Sequence, residues 1–261
     1  MNRVTIVIAN YNYSEYVLQA IDSALNQTYP CRVVIVDDGS TDDSLQKIVA
    51  HCKNLISISD TELDTKYYKG PMCVRSGPNI DIISIKNSGA STARNVGIHF
   101  TWSETDVFAI LDADDEYYPN KVEILLKKLE EYDEIGVVYS DYMIERTGDS
   151  NYQKYEFKKS YSAAGLLKEC IVHSGALIKK KYLDSVRLET QEFYDKKLHG
   201  PLSRGFIGCT EDYDLWLRLS KHCLMIHVPQ CLSKVRETGK NQSMRMTQEI
   251  FHKNAIIMNR D

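Results

Sequence analysis

Three aspartates follow directly on a continuous apolar run near the middle of the 261-residue chain. Residues 107–111 are all apolar, and Asp112, Asp114 and Asp115 come immediately after them. Carboxylates packed this closely repel one another, and a hard divalent cation such as Mn²⁺ or Mg²⁺ is the usual partner that lets them stay ionised together. The spacing therefore indicates a metal-bridged phosphate, although acids also cap helices and turns.

Two further acidic pairs could also do chemistry. Asp37 and Asp38 follow a second strand-like stretch, residues 31–36, which is apolar from residue 33, and Glu211 and Asp212 open an amphipathic segment. Each pair also has a purely structural interpretation. The first would be a turn before a helix, and the second would be acids at the positive end of a helix dipole.

The elements that must position these acids alternate between strand and helix patterns. Strands are predicted at residues 4–9, 31–36, 80–85, 107–111 and 136–139. Helices are predicted after a capping box formed by Asn12 and Glu15, after a cap at Thr41 or Asp42, after Gly89, and from Pro119. This order predicts an α/β fold with a doubly wound, mostly parallel, Rossmann-like sheet. In such a sheet ligands bind beyond the carboxyl ends of the strands, where the acids stand.

Beyond residue 141 the pattern loosens, so one domain with two parts is predicted, residues 1–141 and a smaller subregion at 142–261. The second part is expected to contain a tyrosine-rich polar segment, a strand at 174–178, a helix at 211–219, edge strands within 227–236 and a helical tail at 247–258. The polar stretch 60–79, with two Gly-Pro pairs, is an insertion of unknown use.

Composition narrows the class of protein. The formal charge of −4 and the absence of a basic run flanked by aromatics argue against a nucleic-acid partner. Seven scattered cysteines without a Cys-x-x-Cys pair exclude a disulfide or zinc framework. No apolar run is long enough to be a transmembrane segment. We therefore expect a cytoplasmic protein, at most peripheral to a membrane.

Several short motifs occur together in one order. They are Ala9-Asn10-Tyr11-Asn12, Gln27-Thr28-Tyr29-Pro30, Val36-Asp37-Asp38-Gly39-Ser40-Thr41-Asp42, Asn87-x-Gly89 with Ala93-Arg94-Asn95-x-Gly97, Leu111-Asp112-Ala113-Asp114-Asp115, and Glu211-Asp212. In this order the chain resembles the family 2 glycosyltransferases of GT-A fold. The resemblance implies an inverting enzyme that moves a sugar from a nucleotide-diphosphate sugar, UDP-linked in particular, to an acceptor hydroxyl in polysaccharide, glycan or glycoconjugate synthesis.

The same resemblance implies roles for individual residues. The nucleotide-sugar site would comprise Ala9, Tyr11, Asp38, Arg94, Asp112 and Ala113. In it the base would lie against Tyr11, Asp38 would accept the N3–H of uracil because a carboxylate only accepts hydrogen bonds, and Arg94 would lie near the phosphates. Asp114 would ligate Mn²⁺ or Mg²⁺, and Asp112 would contact the ribose or the same metal. Asp212 matches the catalytic base.

Three residues would support these from further out. Asp115 would orient the metal ligands, while Glu211 and His173 would lie on the acceptor side, although a lone histidine is more often structural. The part at 1–141 would then bind the nucleotide sugar. The part at 142–261 would carry the base and bind a carbohydrate, lipid-linked or protein acceptor.

The chain departs from the family at one place. Many metal-dependent relatives complete the metal shell with a histidine near the C-terminus, and Val235-Arg236-Glu237-Thr238-Gly239 contains none. Water or Glu237 could fill that position, or the site could use Asp114 and the diphosphate alone. Two other functions stay open: a Mg²⁺-dependent phosphotransferase of the haloacid dehalogenase type, which also ends a strand in Asp-x-Asp, and a non-catalytic pseudo-enzyme that binds nucleotide sugars.

Overall fold

The strand that ends in the three aspartates lies in the middle of one continuous sheet. The computed structural model describes residues 2–55, 57–63, 72–196 and 211–239. In chain order its elements are β1 (Val4–Asn10), α1 (Val17–Leu25), β2 (Cys31–Asp37), α2 (Ser44–Cys52), β3 (Ser57–Leu63), β4 (Met72–Ser76), β5 (Ile80–Ile85), α3 (Ala90–Phe100), β6 (Val107–Asp112), β7 (Glu116–Tyr117), α4 (Lys121–Leu129), β8 (Ile135–Arg146), β9 (Asp149–Glu156), α5 (Ala163–Leu166), β10 (Leu177–Lys179), α6 (Lys180–Ser185), α7 (Glu211–Leu219) and β11 (Leu224–Glu237).

The order of the strands confirms the predicted α/β fold with a mostly parallel sheet. Within the described residues it runs β3-β4-β5-β2-β1-β6-β10-β8-β11-β7, with β9 paired to β8. Strands β5, β2, β1 and β6 are parallel neighbours. Their tips are in register, with Ala9 opposite Asp112 and Asn10 opposite Asp37. The acids that follow β2 and β6 therefore stand at one edge of the sheet.

Helices cover both faces of the sheet, as a doubly wound fold requires. Successive strand residues point to opposite faces, so Ile6 and Ile8 pack into one buried cluster while Val7 packs into another. Buried residues of α1, α2 and α4 join the first cluster, and buried residues of α3 and α7 lie on the opposite side. Gly97 lets α3 approach closely, because a Cβ there would stand 2.5 Å from the Val7 Cγ1 atom.

The stretch at 60–79 is part of the sheet rather than only an inserted loop. β3 and β4 pair antiparallel, and β4 pairs antiparallel with β5, so they extend one edge of the sheet. Sequence reasoning missed them because an edge strand needs no continuous apolar run. Residues 64–71 and the tail predicted as helical at 247–258 lie outside the described residues.

The second part contains more strand than predicted. β8 continues seven residues past the predicted end at Tyr139 and so enters that part, and β9 occupies the start of the tyrosine-rich segment, where no strand is predicted. β11 is one long strand between β8 and β7 rather than edge strands within 227–236. Leu177 pairs with both Ala109 and Val138, so the end of β8 rises past the tip of β6. Strand β9 and the C-terminal halves of β8 and β11 thus pair beside the acids, and these three segments together are called the ribbon.

The capping box predicted before α1 is wrong. Asn12 adopts a left-handed conformation with φ of 60°, and its side-chain oxygen accepts N–H bonds from Thr41 and Asp42, at 2.7 and 3.2 Å. A contact with the next loop has replaced the local cap. The N-cap of α2 is Asp43 rather than the predicted Thr41 or Asp42, although the Asp42 carboxylate accepts the N–H of Ser44, the first residue of α2. None of the helices among the described residues is long and apolar enough to cross a membrane.

Candidate active site

The turn after β6 crowds three carboxylates together. Asp114 and Asp115 are almost fully buried, whereas the Asp112 side chain is 31% exposed. The Asp115 N–H closes the turn on the Asp112 carbonyl at 3.0 Å. Burial, with the charge of Asp112 adding to it, raises the pKa of Asp114, and burial with both neighbouring charges raises the pKa of Asp115. A turn with this charge balance favours the binding of a proton or a cation.

Arg236 on β11 holds this acidic turn from above. Its main-chain N–H donates to Asp115 Oδ1 at 3.0 Å, and its Nη1 donates to the Asp114 carbonyl at 2.8 Å. The side chain is buried and also pairs with Glu116. Sequence reasoning missed Arg236 because a single arginine on a strand carries no motif.

Arg94 on α3 joins the acidic turn to the start of α7. Its Nη2 donates to Asp112 Oδ1 at 2.8 Å, and its Nη1 donates to Glu211 Oε1 at 2.8 Å and to Asp212 Oδ1 at 3.4 Å. The side chains of Arg94 and Glu211 are 7% and 6% exposed, and that of Asp212 is 23% exposed. Burial alone would lower the pKa of Arg94, but the three carboxylates outweigh it and raise the pKa well above its usual value. The acids after β6 and the acids that open α7 therefore form one cluster around Arg94. The predicted contact of Arg94 with the phosphates stays a prediction.

The predicted acceptor-side histidine is engaged within its own loop. His173 Nδ1 accepts the N–H of Gly175 at 3.1 Å, and its ring lies 4.5 Å from that of Tyr142. Burial, with help from the charge of Lys121, lowers the pKa of His173 well below its usual value, so the imidazole is neutral. An acceptor-side role for His173 stays a prediction.

Ser174, the next residue, is the one that reaches the acidic turn. Its hydroxyl donates to Asp112 Oδ2 at 3.1 Å, so both oxygens of Asp112 have a partner. Gly175 allows the loop to pass close to α4, since a Cβ there would lie 3.0 Å from Lys121 Nζ. No sequence signal distinguishes Ser174 from other serines.

The tip of β2 carries the residue that is predicted to bind the base. Asp38 is buried, and its two oxygens accept the N–H groups of Ser88 and Gly89 at 2.7 and 2.8 Å. This carboxylate therefore shapes the turn into α3. Its predicted hydrogen bond with uracil stays a prediction and would use the lone pairs that these two bonds leave.

The predicted nucleotide residues on β1 differ in access. The Tyr11 ring is 43% exposed at the strand end and is open to a stacking partner. Behind it, Asn10 donates to Asp37 Oδ1 at 2.7 Å, which makes Asp37 a support for the loop. Ala9 lies in register with Asp112, while the methyl group of Ala113 is buried in the core, so Ala113 could contact a ligand only through its backbone.

The structure offers part of a ligand set for a divalent cation. Among the residues described, no three His, Cys, Asp or Glu side chains converge as a ready metal site. Asp112 and Asp114 supply carboxylate oxygens, which suit Mn²⁺ or Mg²⁺ completed by water and substrate phosphates. Glu237, one candidate for the last ligand, accepts two bonds from Arg146 through Oε2 at 3.0 and 2.9 Å, and its role at the metal stays a prediction.

The fold is that of the GT-A glycosyltransferases. A crystal structure of S. aureus TarS in complex with UDP-GlcNAc superposes with a TM-score of 0.66 over 94% of this chain and 61% of that one, at 14% identity. The mannosyltransferase PcManGT from Pyrobaculum calidifontis, in complex with GDP-Man and Mn²⁺, gives a TM-score of 0.60 over 99% of this chain and 70% of that one, also at 14% identity. At this identity the likeness shows the fold alone.

The model of glycosyl transferase family 2 matches residues 5–187, and the chain belongs to that family. An uncharacterized glycosyltransferase of Rickettsia bellii is 27% identical over 241 residues, and the chondroitin synthase of Escherichia coli is 28% identical over 248 residues. These matches cover 92% and 93% of this chain but 29% and 30% of the relatives. The chain thus spans less than a third of their length. Membership of this family displaces the phosphotransferase alternative.

Proposed function

We propose that the chain is an inverting glycosyltransferase that moves a sugar from a UDP-linked donor to an acceptor hydroxyl. The observation that carries the proposal is the bridge that Arg94 makes between Asp112 and Asp212. Transfer with inversion needs a base on one face of the anomeric carbon and the leaving diphosphate on the other. Because the Arg94 guanidinium holds both carboxylates, it fixes the distance between the base, Asp212, and Asp112 on the side of the diphosphate.

In this mechanism Asp212 takes the proton of the acceptor hydroxyl. Its side chain is accessible enough to meet an acceptor, and the adjacent Arg94 cation favours its ionised form. The acceptor oxygen bonds to the anomeric carbon as the bond from that carbon to the diphosphate oxygen breaks, so the configuration inverts without a covalent enzyme intermediate. A divalent cation held by Asp112 and Asp114 would supply charge neutralisation for the departing diphosphate.

The donor is proposed as a uridine nucleotide sugar. The exposed ring of Tyr11 can stack on a base, and Asp38 is the acceptor placed by family resemblance against uracil N3–H. TarS is described with UDP-GlcNAc and PcManGT with GDP-Man, which supports a nucleotide-sugar donor but leaves the base to be tested. The chondroitin synthase relative supports a carbohydrate acceptor, with lipid-linked and protein acceptors as further outcomes of the test.

The experiment combines binding and turnover. UDP and GDP are titrated calorimetrically in Mn²⁺ and again after chelation, and a panel of UDP-sugars and GDP-Man is incubated with the protein. We expect UDP to bind more tightly than GDP and to lose affinity after chelation. NMR of the released sugar should show the anomeric configuration opposite to that of the donor. Binding without turnover would favour the pseudo-enzyme, and retention of configuration would contradict the proposed mechanism.

A further inference from the structure

A tyrosine lies against the arginine that joins the two acidic groups. Tyr194 is fully buried, and its ring centroid is 5.4 Å from Arg94 Cζ. A guanidinium within about 6 Å of an aromatic ring is attracted to the ring face. This contact does not compete for the N–H groups of Arg94, so both Nη atoms stay available to the carboxylates.

The backbone of Tyr194 is anchored to the two helices that Arg94 connects. The buried Asn95 side chain on α3 donates to the Tyr194 carbonyl at 2.8 Å and accepts the N–H groups of Phe193 and Tyr194, both at 3.0 Å. From α7, Arg218 donates to the Phe193 carbonyl at 2.6 Å. The ring therefore belongs to a segment that is hydrogen-bonded to both α3 and α7.

The hydroxyl of Tyr194 does not explain the presence of this residue. It is buried and has no hydrogen-bond partner in the part of the chain that the structure describes. A buried donor without a partner is unfavourable for stability, so the useful part of the side chain is the ring. Phenylalanine would keep that ring and remove the unfavourable group.

We propose that Tyr194 is a positioning residue for sugar transfer, whose ring holds the Arg94 guanidinium in the orientation that joins Asp112 to Asp212. This inference rests on the proposed function, in which Asp212 is the base. It adds a residue that is argued to act on the reaction through another side chain. The tyrosine acts only through Arg94.

The weakest bond of Arg94 indicates which step would suffer. Arg94 holds Asp112 and Glu211 at 2.8 Å but Asp212 at 3.4 Å, and its Nε has no partner among the described residues. If the ring were lost, the guanidinium could rotate while it kept the two short bonds. The contact with Asp212 would then be lost first. Turnover should therefore fall more than donor affinity.

The test compares Tyr194→Leu, Tyr194→Phe and the control Phe193→Leu. Phe193 is also fully buried, but its ring packs on Trp102 and His99 rather than on Arg94. The probe is the UDP-sugar that the wild-type protein turns over fastest. We expect Tyr194→Leu to lower kcat about 10-fold or more with little change in KM, because small misplacements near reacting groups are costly. Tyr194→Phe should turn over the donor at a rate near that of the wild-type protein. Phe193→Leu should lose thermal stability but keep its turnover.

A second measurement does not depend on activity. Melting temperatures of Tyr194→Leu, Arg94→Met and the double variant form a double-mutant cycle, and we expect a combined loss clearly smaller than the sum of the single losses. Additive losses would overturn the proposal, and so would equal turnover defects in Tyr194→Phe and Tyr194→Leu or in Phe193→Leu and Tyr194→Leu. If the wild-type protein turned over no nucleotide sugar, that result would count against the proposed function, and the cycle would still decide whether Tyr194 acts through Arg94.

Discussion

Replacing Arg94 by methionine should show how much of the protein's stability depends on the ion pairs of the site. The substitution keeps an unbranched side chain but removes the Arg94 cation from Glu211, which is almost fully buried. Removing one partner of a buried ion pair costs about 3–5 kcal/mol. Asp112 and Asp212 are partly exposed and can be rehydrated, so they add little. At roughly 2–4 °C per kcal/mol for a chain of this size, Arg94→Met should lower Tm by about 6–20 °C.

A second substitution separates charge from geometry. In Arg94→Met/Glu211→Gln the buried carboxylate is neutral as well, so we expect at least half of the lost stability to return. Turnover should not return, because no guanidinium then joins Asp112 to Asp212. Thermal unfolding and UDP-sugar turnover are measured on the same preparations.

Two results would refute this reasoning. The Tm of Arg94→Met could stay close to that of the wild-type protein, which would mean that the buried Glu211 does not need this cation. Alternatively, the double variant could be less stable than Arg94→Met. In that case the two charges would not be coupled.

Three further predictions concern supports of the site. Asp38→Asn weakens two hydrogen bonds to a charged acceptor, each worth about 1.5–3 kcal/mol, so the nucleotide-free protein should melt several degrees lower; an unchanged Tm would contradict this. Burial lowers the pKa of Lys121 from 10.5 to about 7. Between these two pH values the unfolded chain holds a proton that the folded chain lacks, so the free energy of unfolding rises with pH. The Tm of the wild-type protein relative to Lys121→Met should therefore rise from pH 7 to pH 9.5, and a constant difference would show that folding leaves this amine unperturbed. Gly97→Ala places a methyl group 2.5 Å from Val7 Cγ1 and should cost about 1–3 kcal/mol in urea unfolding, whereas wild-type stability would show that α3 can shift freely.

The central elements could be predicted from local sequence because their patterns are strong. β6 is a buried apolar run that ends in acids, and α7 has apolar residues at helical spacing after acidic residues, so its bounds agree with the prediction. The register of β1 with β6 follows from the parallel sheet. These features bring the predicted strand-tip residues to one edge.

The connections between the acidic groups could not be predicted in the same way. Arg94, Asp112 and Asp212 were each singled out, but nothing local shows that one guanidinium joins the other two across 118 residues of sequence. Their meeting depends on how α3 and α7 pack on the same face of the sheet. Tyr194 and Arg236 act by tertiary contact alone and carry no motif.

The ribbon was missed for a different physical reason. The described side chains of β9 and those of β8 after Asp141 are half-exposed or exposed, so these stretches lack the apolar alternation of a strand that covers a core. The failed capping box at Asn12 shows the same limit, because a neighbouring loop competed for its side chain. In both cases long-range contacts outweighed a local pattern.

The most direct test of the account is Asp212→Asn, with donor turnover, UDP affinity and Tm measured on one preparation in Mn²⁺. Asparagine still fits the start of a helix but cannot accept the proton of an acceptor hydroxyl. We expect a folded protein that binds UDP as the wild-type protein does and loses turnover by about 10²–10⁴-fold. Turnover near the wild-type rate in the folded variant would contradict the claim that Asp212 is the base.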